Sequence, residues 1–427
     1  MSIKTEIKSM TDELKTKIDN DLTINIESTK NYGPRTSKTI FPFLITNDFA
    51  YLPFAYSIKI GLHHSRPPRN IFPVTKIIFN STLRTEQKEV RKEIIENLNK
   101  FGSTIVSAYT GFGKSITTIY IASKLKLKTL IILNRLVLIK QWKESIEKFC
   151  DNSTVQCLKP KSIKQDCDFY IINAMNIHKM GHNFFLDIGF VVIDEIHLIV
   201  AEKLSSCLQY ITPRYIIGLS ATPNRFDGLD ILFDLYCGES RVFRKLNRHH
   251  IAYEVNTKFT PTVELGTNGK INWNSVIESQ SNDVSRNELI IKIIKKFNDR
   301  IFLVICKRIS QATYILQRLE EENEDVTGLF GKRMEYNQNS RILVGTTGKC
   351  STGFDHPRLN TLLLASDVEA YYQQVLGRIF RIKEGTPIVF DLVDNNPILK
   401  KHWRTRRAVY IDQGGIVKNF YKEFNID

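Results

Sequence analysis

Residues 104–115 read TIVSAYTGFGKS, and residues 116–125 continue ITTIYIASKL. A short apolar, β-branched run, a loop with two glycines, and a stretch with helical spacing follow one another without a gap. The glycines let the backbone come close to a ligand. Amides at a helix N-terminus point toward whatever sits in the loop, and the helix dipole favours an anion there. Lys114 adds a point charge and Ser115 a hydroxyl. The reading is a phosphate cradle over Ala108, Tyr109, Thr110, Gly111, Phe112, Gly113, Lys114 and Ser115, with Ser115 able to complete a Mg²⁺ shell.

Outward from this stretch the same texture repeats. Runs of the same kind occur at 129–133 (TLIIL), 169–173 (FYIIN), 190–194 (FVVID) and 216–220 (IIGLS), with helical patterns between them. Apolar runs of this length separated by helices indicate a parallel sheet buried on both faces. A second series follows at 301–306 (IFLVIC), 341–346 (RILVGT), 361–366 (TLLLAS) and 387–393 (PIVFDLV). The expected fold is therefore α/β, with two tandem domains built on parallel sheets. Residues 1–75 carry six prolines and no clear period, and read as a small, β-rich N-terminal accessory module. Expected boundaries are 76–240 for the first domain, 241–285 for a connector or small insertion, and 286–427 for the second domain with a basic tail.

Two further clusters carry chemistry. FVVIDEIH (190–197) puts Asp194 and Glu195 at the end of a buried strand. Carboxylates there cost desolvation unless a cation or a proton-transfer task holds them. Asp194 suits Mg²⁺ and Glu195 suits activation of an attacking water. YYQQVLGRIFR (371–381) places Gln374, Arg378 and Arg381 on one face if it forms a continuous helix. Two guanidiniums there could reach a γ-phosphate.

The chain has 427 residues, with 60 Lys plus Arg against 45 Asp plus Glu, a formal charge of +15. That surplus favours a polyanionic partner, most often nucleic acid. Seven cysteines, an odd number with no Cys-x-x-Cys pair, argue against a disulfide framework or a zinc knuckle and suggest an intracellular chain. The charged N-terminus lacks a signal-peptide core, and no apolar stretch is long enough to span a bilayer, so no membrane partner is expected.

The motifs, in their order, resemble those of superfamily 2 helicases over roughly residues 80–395. LRTEQ (83–87), with Arg84 and Gln87, is similar to the family's adenine-reading segment. The form Ala-x-x-Gly-x-Gly-Lys-Ser is one the family uses, so Ala108 fits. LNRLVLIKQW (133–142) resembles the strand and helix that touch the nucleic-acid backbone, through Arg135, Gln141 and Trp142. DEIH is the Asp-Glu-x-His form of the second motif, in which His197 would link the ATP site to the neighbouring domain. LSATP (219–223), with Ser220 and Thr222, looks like the coupling motif. GTTGKCSTGFD (345–355) resembles the fifth motif, with Thr346 as a nucleic-acid contact and Asp355 beside the nucleotide. QVLGRIFR is the sixth. TPNRFDG (222–228) is similar to the XPB type and to transcript-release helicases of large cytoplasmic DNA viruses. Arg225 and Asp227 match two of three residues of an Arg-Glu-Asp element there, and Phe226 departs from it.

The resemblance implies two RecA-like domains with ATP and Mg²⁺ between them, and Glu195, Lys114, Arg378, Arg381 and Gln374 as catalytic residues. It implies translocation along nucleic acid, with DNA favoured over RNA, in viral transcription or genome handling alongside transcription proteins. A viral source would place the chain in host cytoplasm or virion, with the nucleus as an alternative. The alternatives are an RNA helicase and a non-catalytic nucleic-acid-binding component; the intact catalytic set argues against the second. A restriction-type motor would need a nuclease cluster, and none follows residue 395. KKHWRTRRAVY (400–410) reads equally as a phosphate-and-base contact or as a basic helix packed through Trp403 and Tyr410. RVFRKLNRHH (241–250) reads as a domain-edge surface with a few phosphate contacts.

Overall fold

The apolar runs are strands, and most are buried along their whole length, as a sheet covered by helices on both faces requires. The computed structural model describes residues 1–27, 37–180, 182–199, 208–209, 211–220, 230–266, 269, 271–333, 335–350, 356–369, 372–382 and 384–425. The chain forms two compact units. Met1–Ala108 and Phe112–Arg244 make the first; Tyr109–Gly111 and Lys245–Asp427 make the second.

In the first unit seven parallel strands lie side by side in the order Val155–Leu158, Phe169–Asn173, Thr129–Leu133, Phe190–Ile193, Tyr215–Ser220, Ser103–Ala108 and Arg241–Arg244. Because all run the same way, Ala108, Ile193 and Ser220 end on one edge of the sheet. Loops at the carboxyl ends of parallel strands are where such folds place ligands. The second unit repeats the scheme, in the order Val326–Leu329, Ile342–Thr346, Phe302–Cys306, Thr361–Leu364, Ile388–Val393, His250–Asn256 and Gly415–Asn419.

One expectation about organisation needs correction. The stretch 241–285 is not a connector. Its first residues form the edge strand Arg241–Arg244 of the first sheet, and His250–Asn256 lies inside the second. The rest includes the helix Trp273–Asn282. Residues 1–75 hold the small N-terminal module expected, and it is joined to the first unit. A three-stranded antiparallel sheet, Ser2–Glu6, Phe49–Pro53 and Leu44–Ile45, docks on the first unit. Met1, Ile3 and Phe54 share one apolar core with Ile105, Leu130 and Val191 of the large sheet. The Ser2 amide donates to the Ile211 carbonyl at 2.9 Å. Burying those apolar side chains in a common core fuses module and sheet.

The helix Pro397–Asp412 decides the two readings of the basic tail. Trp403 and Tyr410 are buried, so neither ring is presented to a base. Arg406 is buried too, and forks onto both carboxylate oxygens of Asp391 at 2.8 Å each and onto Asp367 at 2.7 Å. Tyr410 donates to the same Asp391 at 2.8 Å. A second buried pair, Arg286–Asp394, sits on the same unit at 2.9 Å. Among the described residues no helix is long and apolar enough to cross a membrane.

Candidate active site

The phosphate loop is built by the strand Ser103–Ala108 and the helix Lys114–Leu125. Gly111 and Gly113 have φ of +90° and +92°, the left-handed region that L side chains rarely adopt. A Cβ at Gly113 would also collide with the Gln87 amide. Lys114 turns its ammonium back onto the Ala108 carbonyl at 2.5 Å. Ser115 is the second residue of the helix and half-buried. Loop amides, the helix start and an ammonium in one place could receive phosphate oxygens.

The helix Thr85–Phe101 holds the loop from one side. Gln87 accepts the Arg84 amide at 2.9 Å, which closes the first turn, and donates to the Phe112 carbonyl at 3.0 Å. The Arg84 guanidinium donates to the same carbonyl. Arg84 and Gln87 therefore grip the loop itself.

Asp194 follows the strand Phe190–Ile193 and is buried. Its Oδ1 accepts the Glu195 amide at 3.0 Å and its Oδ2 accepts the indole N–H of Trp142 at 2.8 Å. Burial, and after it the Glu195 charge, push this carboxyl up to about 6; the Trp142 N–H and then Lys114 pull the other way. A cation beside this carboxylate would offset the cost of its charge. Glu195 has φ of +51°, which a side chain adopts only at a cost. His197 Nδ1 lies 3.4 Å from Glu195 Oε2 and 3.0 Å from Ser220 Oγ. The site thus takes Lys114, Asp194 and Ser220 from the ends of three neighbouring strands.

The structure buries Trp142, which the sequence placed among nucleic-acid contacts: only 2% of it is exposed, and its N–H is spent on Asp194. The signal was in the spacing, since Leu138, Trp142, Ile146 and Phe149 form one apolar helical stripe. Arg135 caps the helix Leu136–Phe149, Leu136 beside it is 72% exposed, and Gln141 is half-buried. In the second unit Thr346 ends its strand, half-buried.

The expected single helix through 374–381 is two pieces. Tyr372–Leu376 is helical and Ile379–Arg381 is a 3₁₀ turn. The Arg378 amide reaches Val375 at 3.0 Å, an i−3 bond that tightens the chain at Gly377 and ends the α-helical spacing. Gln374 and Arg378 are buried, and among the described residues the Gln374 amide has no hydrogen-bond partner. Burial lowers the pKa of Arg381. Thr222, Arg225, Asp227 and Asp355 lie outside the described residues.

A glycine loop and an Asp-Glu pair on one parallel sheet, with a second such sheet after it, fit the two-sheet arrangement of a nucleotide-driven motor. Residues 80–225 match the family model described as "Type III restriction enzyme, res subunit". The chain is 42% identical to the putative helicase 161L of Invertebrate iridescent virus 6, over 98% of this chain and all of that one. It is 26% identical to the transcript termination protein A18 of Yaba-like disease virus, over 81% of this chain and 82% of that one. The fold is that of yeast Dbp5 bound to RNA and ADP BeF3, with a TM-score of 0.55 at 13% identity over 78% of this chain and 91% of that one. The chain belongs to the viral superfamily 2 helicases, in the family of the iridovirus putative helicases. It is an ATP-driven nucleic-acid helicase with two RecA-like sheets.

Proposed function

We propose that this helicase acts on DNA during viral transcription, with Mg²⁺·ATP as its fuel. The observation that carries the site assignment is the meeting of Lys114 and the ionisable pair Asp194–Glu195 at the carboxyl edge of one sheet. The loop amides, Lys114 and Ser115 would hold the outer phosphates. Ser115 and Asp194 would hold Mg²⁺, which supplies charge neutralisation across those phosphates. The residues fit such an ion: a buried carboxylate is kept in place by two hydrogen bonds, with an ammonium for company.

Glu195 would accept a proton from the attacking water, and its strained backbone aims the carboxylate independently of Asp194. Arg378 and Arg381 would add positive charge where the γ-phosphate gains negative charge. Arg135, Gln141 and Thr346 would touch the nucleic-acid backbone, so affinity should fall steeply with salt and show little sequence preference. Support for a role in transcription comes from the likeness to a relative named as a transcript termination protein, and support for a polyanionic partner from the formal charge of +15.

The test is strand separation on matched 3′-tailed DNA and RNA duplexes with ATP and Mg²⁺. Separation of the DNA duplex is the expected result. Separation of the RNA duplex alone would replace the DNA reading with an RNA one.

A further inference from the structure

The Trp142–Asp194 bond lies inside the first unit and joins two parts of the machine. Asp194 is the carboxylate assigned above to the metal. Trp142 belongs to the helix Leu136–Phe149, whose opening residues carry Arg135 and the exposed Leu136 and Val137. Trp142 lies seven positions after Arg135, about 10 Å along a helix axis at 1.5 Å per residue.

The hydrogen bonds divide the carboxylate cleanly. The Glu195 amide is one residue away and accompanies Asp194 wherever the backbone goes. The indole N–H comes from another element, 52 residues away in sequence, and reaches the other oxygen. It alone of the two fixes the carboxylate relative to the rest of the sheet. A phenyl ring would keep an aromatic side chain at this buried position, smaller than the indole and without the N–H donor.

We propose that Trp142 is a positioning residue that holds the Asp194 carboxylate in its metal-binding orientation and ties it to the helix carrying Arg135 and Gln141. The inference rests on the nucleotide-site reading above. Partners that orient a metal ligand from behind are worth tenfold to a hundredfold in metal affinity. A rigid helix between Arg135 and Trp142 also gives nucleic acid a mechanical route to the metal ligand.

The experiment compares the unaltered chain with Trp142→Phe by equilibrium binding of a fluorescent ADP, titrated with Mg²⁺. The variant is expected to need about 10- to 100-fold more Mg²⁺ for half-maximal binding. Binding in EDTA should be the same for both. Adding single-stranded DNA should lower the Mg²⁺ requirement of the unaltered chain and leave that of the variant where it was. An unchanged Mg²⁺ requirement in folded Trp142→Phe overturns this inference alone. An unaltered chain that binds no nucleotide at any Mg²⁺ concentration overturns the site reading as well. If the variant does not fold, the indole N–H signals of ¹⁵N-tryptophan in the unaltered chain decide. One is expected to move when Mg²⁺ is added to the ADP-bound protein, and no movement in any of the three tryptophans overturns the proposal.

Discussion

His197 Nδ1 stands 3.0 Å from the hydroxyl of Ser220, joining the short helix after one strand to the last residue of the next. The same nitrogen lies 3.4 Å from Glu195. One imidazole therefore touches the proposed base and the start of the LSATP segment. His197→Ala should leave ATP binding intact and uncouple hydrolysis from movement. Strand separation per ATP consumed is expected to fall roughly tenfold, within the range of ordinary coupling energies. Equal coupling in the variant would remove His197 from this role.

Glu195→Gln keeps the size but puts an amide, which cannot take a proton, in place of the carboxylate. Nucleotide affinity should hold, while turnover drops by about 10²- to 10⁴-fold, the usual contribution of general base catalysis. Single-turnover hydrolysis beside nucleotide binding checks this. Normal hydrolysis by the variant would mean that another group activates the water.

The raised pKa of Asp194 sets a pH dependence. Burial and then Glu195 raise it from 3.8 to about 6, so the folded, metal-free chain holds this proton more tightly than the unfolded one. Stability from this group is present below pH 3.8 and is lost as pH rises through about 6. A metal competes with the same proton. The rise in melting temperature caused by Mg²⁺ with ADP should therefore be small at pH 5 and grow through pH 6 to 7. Thermal scans with and without Mg²⁺ measure it, and a rise independent of pH would remove Asp194 as the titrating ligand.

Arg406 holds two buried carboxylates in the second unit, Asp391 and Asp367. Arg406→Ala leaves both without that counter-charge and should cost about 3–5 kcal/mol, the usual penalty for breaking a buried ion pair. Urea unfolding with a probe in the second unit reports it. A loss below about 1 kcal/mol, the scale of an exposed pair, would show that the site is wetter than its geometry implies. Burial opposes the charge on Arg406, but Asp391 and Asp367 outweigh it and raise its pKa. Asp367 is held below its ordinary value by His402 and Arg406 against the opposing effect of burial. Its share of stability is present above the unfolded pKa of 3.8 and disappears in stronger acid.

Much of this arrangement was legible in the residues. Runs such as TLIIL and FYIIN show two-sided burial directly, and both are strands buried along their whole length. The grouping of Lys114 with Asp194 was also readable, because both follow buried strands on one parallel sheet. Other features depend on tertiary partners that local patterns do not name. The docking of residues 1–75 needs the core shared by Met1, Ile3 and the large sheet. The break after Leu376 depends on a tightened turn that helical spacing hides. Trp142 beside Gln141 resembled a nucleic-acid contact, yet its apolar stripe turned it inward to Asp194.

The most direct measurement is ATP hydrolysis by the purified chain alone, with single-stranded DNA, double-stranded DNA and RNA, beside Lys114→Ala. The account expects DNA to raise turnover at least tenfold and Lys114→Ala to lower it by about 10²- to 10³-fold, as loss of a preorganised charge does. Hydrolysis indifferent to every nucleic acid, or undiminished in Lys114→Ala, would contradict it.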